Sequence, residues 1–145
     1  SLSGGAAIDS MELDAFIGPC TVLQVPGGVI TGEYVDKHFP KKCKRLLIKG
    51  GGRAFFMDSS AEELSGRGLM LIGTDSLSVG CAGNETAPHK AFMQGGTAIL
   101  EGLDLSEVQP GEYFLFAPPV LYDGLEAAPV RAVLISDYIF WSGNH

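Results

Sequence analysis

The sequence is poor in the residues that most binding and catalytic chemistry needs. It has three histidines, three cysteines and ten basic side chains in 145 residues. Ten Lys and Arg against seventeen Asp and Glu leave a formal net charge of −7. Phosphate contacts require a basic face, so nucleic acid is not an expected partner. No apolar run approaches the roughly 20 residues that span a bilayer, and no membrane partner is expected. Cys20, Cys43 and Cys81 are odd in number and form no CxxC pair, which argues against a zinc knuckle or a disulfide framework. Three reduced thiols suit a cytoplasmic protein. Cys20 opens an apolar run and reads as core. The glycine-rich run at 49–53 (KGGGR) is followed by no Lys-Ser/Thr and lacks the third glycine of a dinucleotide fingerprint, so it is no phosphate cradle. There is no GxSxG elbow either.

What is present is the material of a folded domain. Hydrophobic residues make up 46% and charged residues 19%, the balance of a packed protein. A chain of this length is one domain, residues 1–145, and buries roughly two-thirds of its unfolded surface without help from metal or disulfide. It starts at Ser1 with no Met, in a glycine-rich stretch (SLSGGAAIDS) that looks like the middle of something.

Punctuation along the chain predicts alternating short strands and helices. Gly18-Pro19 reads as a turn and residues 20–25 (CTVLQV) as a short buried strand. Thr31 can cap a helix through His38, stopped by Pro40. The basic cluster Lys41, Lys42, Lys44 and Arg45 reads as a solvated loop or strand edge. Residues 45–49 (RLLIK) read as a strand, with Gly50-Gly51-Gly52 as its flexible exit. Asp58 or Ser59 can cap a helix ending at Gly66 or Gly68. Residues 69–72 (LMLI) form an apolar strand buried on both faces, leading into Gly73-Thr74-Asp75-Ser76. A helix over 88–94, capped by Thr86 or Ala87, ends at Gly95-Gly96, and residues 97–100 form another strand. The last third is β, with strands over 112–117 and 129–136 and an interruption at Pro118-Pro119. The order argues a mixed α/β layer fold with a partly parallel sheet.

Of the histidines, His38 reads as a surface residue and His145 as a mobile terminus. His89 lies just inside a helix N-terminus, whose partial positive charge favours a neutral imidazole. A helix of about seven residues rises ~10 Å, the Gly95-Gly96 turn reverses the chain, and the following strand returns ~13 Å. Glu101 therefore ends beside the helix N-terminus, within reach of His89. An imidazole and a carboxylate so placed are a metal half-site in type. On geometry alone such a pair is more often a cap or a salt bridge, because two ligands fall short of the three or four a protein site needs. Asp75 lies at the same sheet edge if the strands are parallel, where α/β proteins bind ligands. A strand-end Asp is more usually a turn or N-cap residue.

The run Ala87-Pro88-His89-Lys90, then Gly95, then residues 99–106 (ILEGLDLS) closely resembles the cyclase-like metal-dependent hydrolases, which include bacterial kynurenine formamidase and isatin hydrolase. Residues 13–20 (LDAFIGPC), 71–78 (LIGTDSLS), Val108, Pro110-Gly111, Tyr113 and 127–134 resemble them too, so the likeness spans nearly all of the chain. It implies a swivelling β/β/α fold, a mixed sheet with short flanking helices, and a homodimer or higher oligomer with sites near the subunit interface. It implies one or two divalent ions, zinc or manganese, that activate water to hydrolyse an amide of a small-molecule substrate, as in tryptophan catabolism. The family's His and Glu ligands, twelve positions apart, fall on His89 and Glu101.

The family's other ligands come from a motif H-x-G-T-H-x-D-x-P-x-H, placed before the segment matching Ser1 to Asp14. This sequence does not contain it, and the family's catalytic His has no counterpart. The expectation is an N-terminally truncated domain, inactive or nearly so by itself, of a metal-dependent amide hydrolase. The alternative is a non-catalytic binding or oligomerisation module on the same scaffold. Within the hydrolase reading, an isatin-type or polyketide-type substrate stays open.

Overall fold

The computed structural model describes residues 10–120, 128–129 and 131–137. Along the chain run α1 (Ser10–Ala15), β1 (Ile17–Gln24), β2 (Gly28–Ile30), α2 (Gly32–His38), β3 (Arg45–Lys49), β4 (Ala54–Phe56), α3 (Asp58–Gly66), β5 (Leu71–Thr74), α4 (Thr86–Gln94), β6 (Ala98–Leu100), β7 (Gly111–Phe116), β8 (Pro119–Val120), β9 (Ala128–Pro129) and β10 (Val133–Ile135). Six strands form one mixed sheet in the order β10-β7-β1-β3-β5-β6. Within it β1, β3, β5 and β6 are parallel, and β7 and β10 are antiparallel to their neighbours. The expected α/β architecture with a partly parallel sheet is the one observed.

The apolar strand runs are explained by burial on both faces. On β3, Leu46 and Ile48 pack with Val35 of α2, Leu64 of α3 and Phe92 of α4. Leu47, one residue out of phase, packs on the opposite face with Val22, Leu71, Leu100 and Leu115. Side chains alternate across a strand with period two, so one strand feeds both cores. Under the helices Phe56 meets Phe39 and Phe92 edge-on, at centroid distances of 6.4 and 5.2 Å.

Several local expectations shift. Gly18-Pro19 does not turn the chain but lies inside β1, which pairs with β7 from Ile17 onward. The ladder to β3 begins only at Thr21, so the missing Pro19 N–H interrupts no bond on that side. Arg45 fills the space instead. It is buried, not solvated, and donates to the carbonyls of Ala15 and Pro19, each at 3.2 Å, and of Asp14. Its guanidinium occupies the place where a side chain on Gly18 would sit, at a φ of +150°.

The strand expected at 69–72 runs from Leu71 to Thr74, because Gly73 and Thr74 continue the register opposite Leu47 and Ile48. α3 is capped one residue early, by Met57, whose N–H donates to Ser60 Oγ at 3.0 Å. α4 is capped by Glu85 instead of Thr86 or Ala87. Pro88 remains within the first turn, where its missing N–H costs nothing. The Pro118-Pro119 interruption carries β8, which pairs with β9, and within 129–136 the main-sheet strand is only Val133–Ile135. Residue 130 and His145 lie outside the described residues. The parallel pair β2 and β4 was not anticipated. No helix among the described residues is long and apolar enough to cross a membrane.

Candidate active site

The parallel strands β3, β5 and β6 end on one edge of the sheet, at Lys49, Thr74 and Leu100. The residues that follow them are Gly50, Asp75 and Glu101, so the two carboxylates flank one edge, as expected for parallel strands. α4 reaches this edge by its N-terminus. Its C-terminal reversal is made by Gly95 and Gly96: Gly96 adopts φ +83°, and Thr97 N donates to Phe92 O at 2.9 Å. The chain then returns along β6, and His89 and Glu101 line a single open cleft of about 440 Å³.

Both side chains are exposed to solvent. No salt bridge joins them: the ion pairs among the described residues join only Lys41, Arg67, Asp36 and Glu63. Glu101 Oε2 accepts from Val79 N at 2.9 Å. Its other oxygen and the His89 imidazole take part in no hydrogen bond among the described residues. An imidazole and a carboxylate oxygen with free lone pairs across one cleft suit a divalent ion in donor type. They are half of a shell. Among the described residues no group of three or more His, Cys, Asp or Glu side chains could hold a metal.

Glu85, Lys90 and Met93 line the same cleft, with Ser78 and Thr86. Of these, Glu85 and Met93 were not among the candidates, although the sequence carries a signal for them. Glu85, His89 and Met93 are spaced by four and therefore share one helix face. Once His89 was singled out, its i−4 and i+4 neighbours were the next side chains to consider.

Asp75 is at the expected edge but has a different task. Its carboxylate accepts from the N–H groups of Gly50, Gly51 and Gly52, at distances of 3.0 to 3.1 Å. Gly51 and Gly52 have φ of +66° and +75°, so successive amides turn inward and form a nest for an anion. The anion is the protein's own side chain. The glycine run is thus a pinned loop and not a flexible exit. His38 is on the surface, its ring 4.4 Å from that of Tyr34. All three cysteines are free. Cys20 is core, as read, and burial pushes its thiol up to about 12. Burial also raises the Cys43 thiol.

Comparison with known proteins defines the class first. The fold matches a solved structure described as a potential metal-dependent hydrolase with cyclase activity, at a TM-score of 0.77 and 27% identity over 90% of this chain and 71% of that one. A predicted metal-dependent hydrolase from Bacillus stearothermophilus matches with a TM-score of 0.76 and 25% identity, covering 92% of this chain and 72% of that one. No family model matches the chain. Kynurenine formamidase of Delftia acidovorans (strain DSM 14801 / SPH-1) is 33% identical over 142 residues, which is 90% of this chain and 68% of the relative. The chain belongs to the cyclase-like hydrolase family that contains the bacterial kynurenine formamidases.

Proposed function

We propose that this chain carries the His89 and Glu101 half of a divalent-metal site that hydrolyses the C–N bond of an amide, with an aryl formamide as the substrate class. The observation that carries the reading is that these two side chains line one cleft, with one Glu101 oxygen and the His89 imidazole in no hydrogen bond among the described residues. The similarity to Delftia kynurenine formamidase supports the substrate class.

In this reading His89 and Glu101 would hold the ion. A divalent zinc or manganese ion, when bound, lowers the pKa of water and polarises a carbonyl. The chain's own residues orient and bind. Glu101 is held at one oxygen by Val79 N–H, so its carboxylate presents a fixed edge. Lys90, next to His89 on α4, supplies positive charge to a cleft that also carries Glu85 and Glu101. Met93, more than half exposed, offers an apolar surface to the substrate's ring.

The test is metal content and aryl-formamide hydrolysis of this chain with added Mn²⁺ or Zn²⁺, beside its His89→Ala and Glu101→Gln variants. Loss of metal and of any hydrolysis in both variants is expected. Full hydrolysis that survives His89→Ala refutes the reading.

A second reading is a non-catalytic assembly module. It is favoured by the two-ligand donor set and by Phe116, Val133 and Ile135, which are 41 to 45% exposed on adjacent strands β7 and β10. Solution mass decides: a strict monomer that binds no metal argues against it.

A further inference from the structure

Between β5 and α4 the chain makes a loop over residues 75–80, of which the hydrolase reading uses only the Val79 amide. Its polar groups are spent in a directed way. Ser76 is fully buried and commits every polar group it has. Its N–H donates to Thr74 Oγ1 at 3.0 Å, and its hydroxyl donates to Ala54 O at 2.9 Å. Its carbonyl accepts from Gly102 N at 2.7 Å. Three residues on, Val79 is also buried. Its carbonyl accepts from Phe56 N at 2.7 Å, and its N–H donates to Glu101 Oε2 at 2.9 Å.

The loop is therefore fastened to β4 at both ends, through Ala54 and Phe56. It grips the Glu101-Gly102 dipeptide twice, once at the Glu101 carboxylate and once at the following amide. β4 is held in turn by pairing with β2. A carboxylate just past the end of a three-residue strand, exposed to solvent, would otherwise sample several rotamers. Fixing it before a ligand arrives removes that ordering cost from binding.

We propose that Ser76 is a positioning residue for Glu101: its buried hydroxyl anchors the loop to β4 so that the Val79 amide holds the carboxylate edge-on to the cleft. The inference rests on the reading of Glu101 as a ligand only for its consequence in binding. The grip itself can be measured without metal.

The test compares Ser76→Ala with Thr31→Ala in the full 145-residue chain. Thr31 caps α2 by accepting from Tyr34 N at 3.0 Å, in an element that contributes no residue to the cleft. It therefore reports general destabilisation. In metal-free protein, amide hydrogen exchange at Val79 and Gly102 should accelerate at least tenfold in Ser76→Ala. It should stay protected in Thr31→Ala at matched melting temperature. Unchanged protection of both amides in Ser76→Ala overturns the proposal. Titration with Mn²⁺ should then show affinity about 10- to 100-fold weaker in Ser76→Ala and unchanged in Thr31→Ala. Equal affinity in wild type and Ser76→Ala, where His89→Ala abolishes binding, also overturns it. Mn²⁺ binding that survives both His89→Ala and Glu101→Gln removes the ligand reading instead, and the exchange data still decide the grip.

Discussion

Replacing Asp75 by Ala separates a structural carboxylate from a catalytic one. Three amides lose their acceptor, but they do not lose it equally. Gly51 and Gly52 are exposed, and water replaces the carboxylate there. Exchanging a protein acceptor for water at an exposed amide costs a few tenths of a kcal/mol each, well under the ~1 kcal/mol of an average bond. Gly50 is buried and stands close to Ala54 and Val25, so its N–H is left unsatisfied, at about 1–3 kcal/mol. Gly51 and Gly52 also lose the anion that favours their inward-turned conformation. The sum is about 2–3 kcal/mol. At about 3 °C per kcal/mol for a chain of this size, the melting temperature falls by roughly 6–9 °C. Thermal denaturation followed by circular dichroism reads this directly. Asp75→Asn should fall between wild type and Ala, because an amide oxygen still accepts while the NH₂ group cannot. The reasoning fails if Asp75→Ala keeps its melting temperature and loses metal affinity or hydrolysis, since that pattern belongs to a residue acting on a ligand.

Two further perturbations test the packing beside the cleft and the buried core. Gly80 leaves no room for a side chain: a Cβ there would lie 2.5 Å from Asn84 O and 2.8 Å from Glu85 Cα, both backbone atoms at the start of α4. Gly80→Ala should therefore cost about 1–3 kcal/mol, read as a lower urea midpoint, and should weaken Mn²⁺ binding by displacing the turn that carries His89. An unchanged midpoint refutes the packing. Cys20 is raised from 9.0 to about 12 by burial first, with Cys43 and Glu112 adding to it. A thiol that holds its proton more tightly when folded contributes full stability below the unfolded value. Stability should then fall as pH rises from 9 toward 12, by up to about 1.4 kcal/mol per pH unit, and Cys20→Ala should flatten that slope in urea titrations at successive pH values.

The large elements were legible because their signals were redundant. α2 has a capping Thr31 and a stopping Pro40, and it folds over Gly32–His38 with Thr31 Oγ1 as acceptor. β3 is three apolar residues flanked by Arg45 and Lys49, between a basic loop and three glycines, and its bounds matched. The three-residue strands β2 and β4 were not legible. GVI and AFF are too short to show any period, and their pairing depends on contacts distant in sequence. Arg45 was misread for a related reason. Its neighbours Lys41, Lys42 and Lys44 are exposed, and charge patterning cannot show that three main-chain carbonyls wait for one guanidinium.

The site divides along the same line. His89 and Glu101 could be brought together from the sequence because one helix, one glycine turn and one strand connect them, and the arithmetic of rise per residue is local. Asp75 could be put at the edge on the condition that its strand runs parallel to the next, yet its role depends on where Gly50-Gly51-Gly52 go, a question about a strand 25 residues earlier. The two carboxylates at this edge are chemically alike and differ only in what surrounds them. Asp75 spends both oxygens on a nest of backbone amides, whereas Glu101 spends one and keeps the other. A carboxylate with every lone-pair direction engaged by its own chain serves the fold. One that is held at a single oxygen is oriented and still able to bind, and this asymmetry is what favours Glu101 over Asp75 in the proposed ligand set.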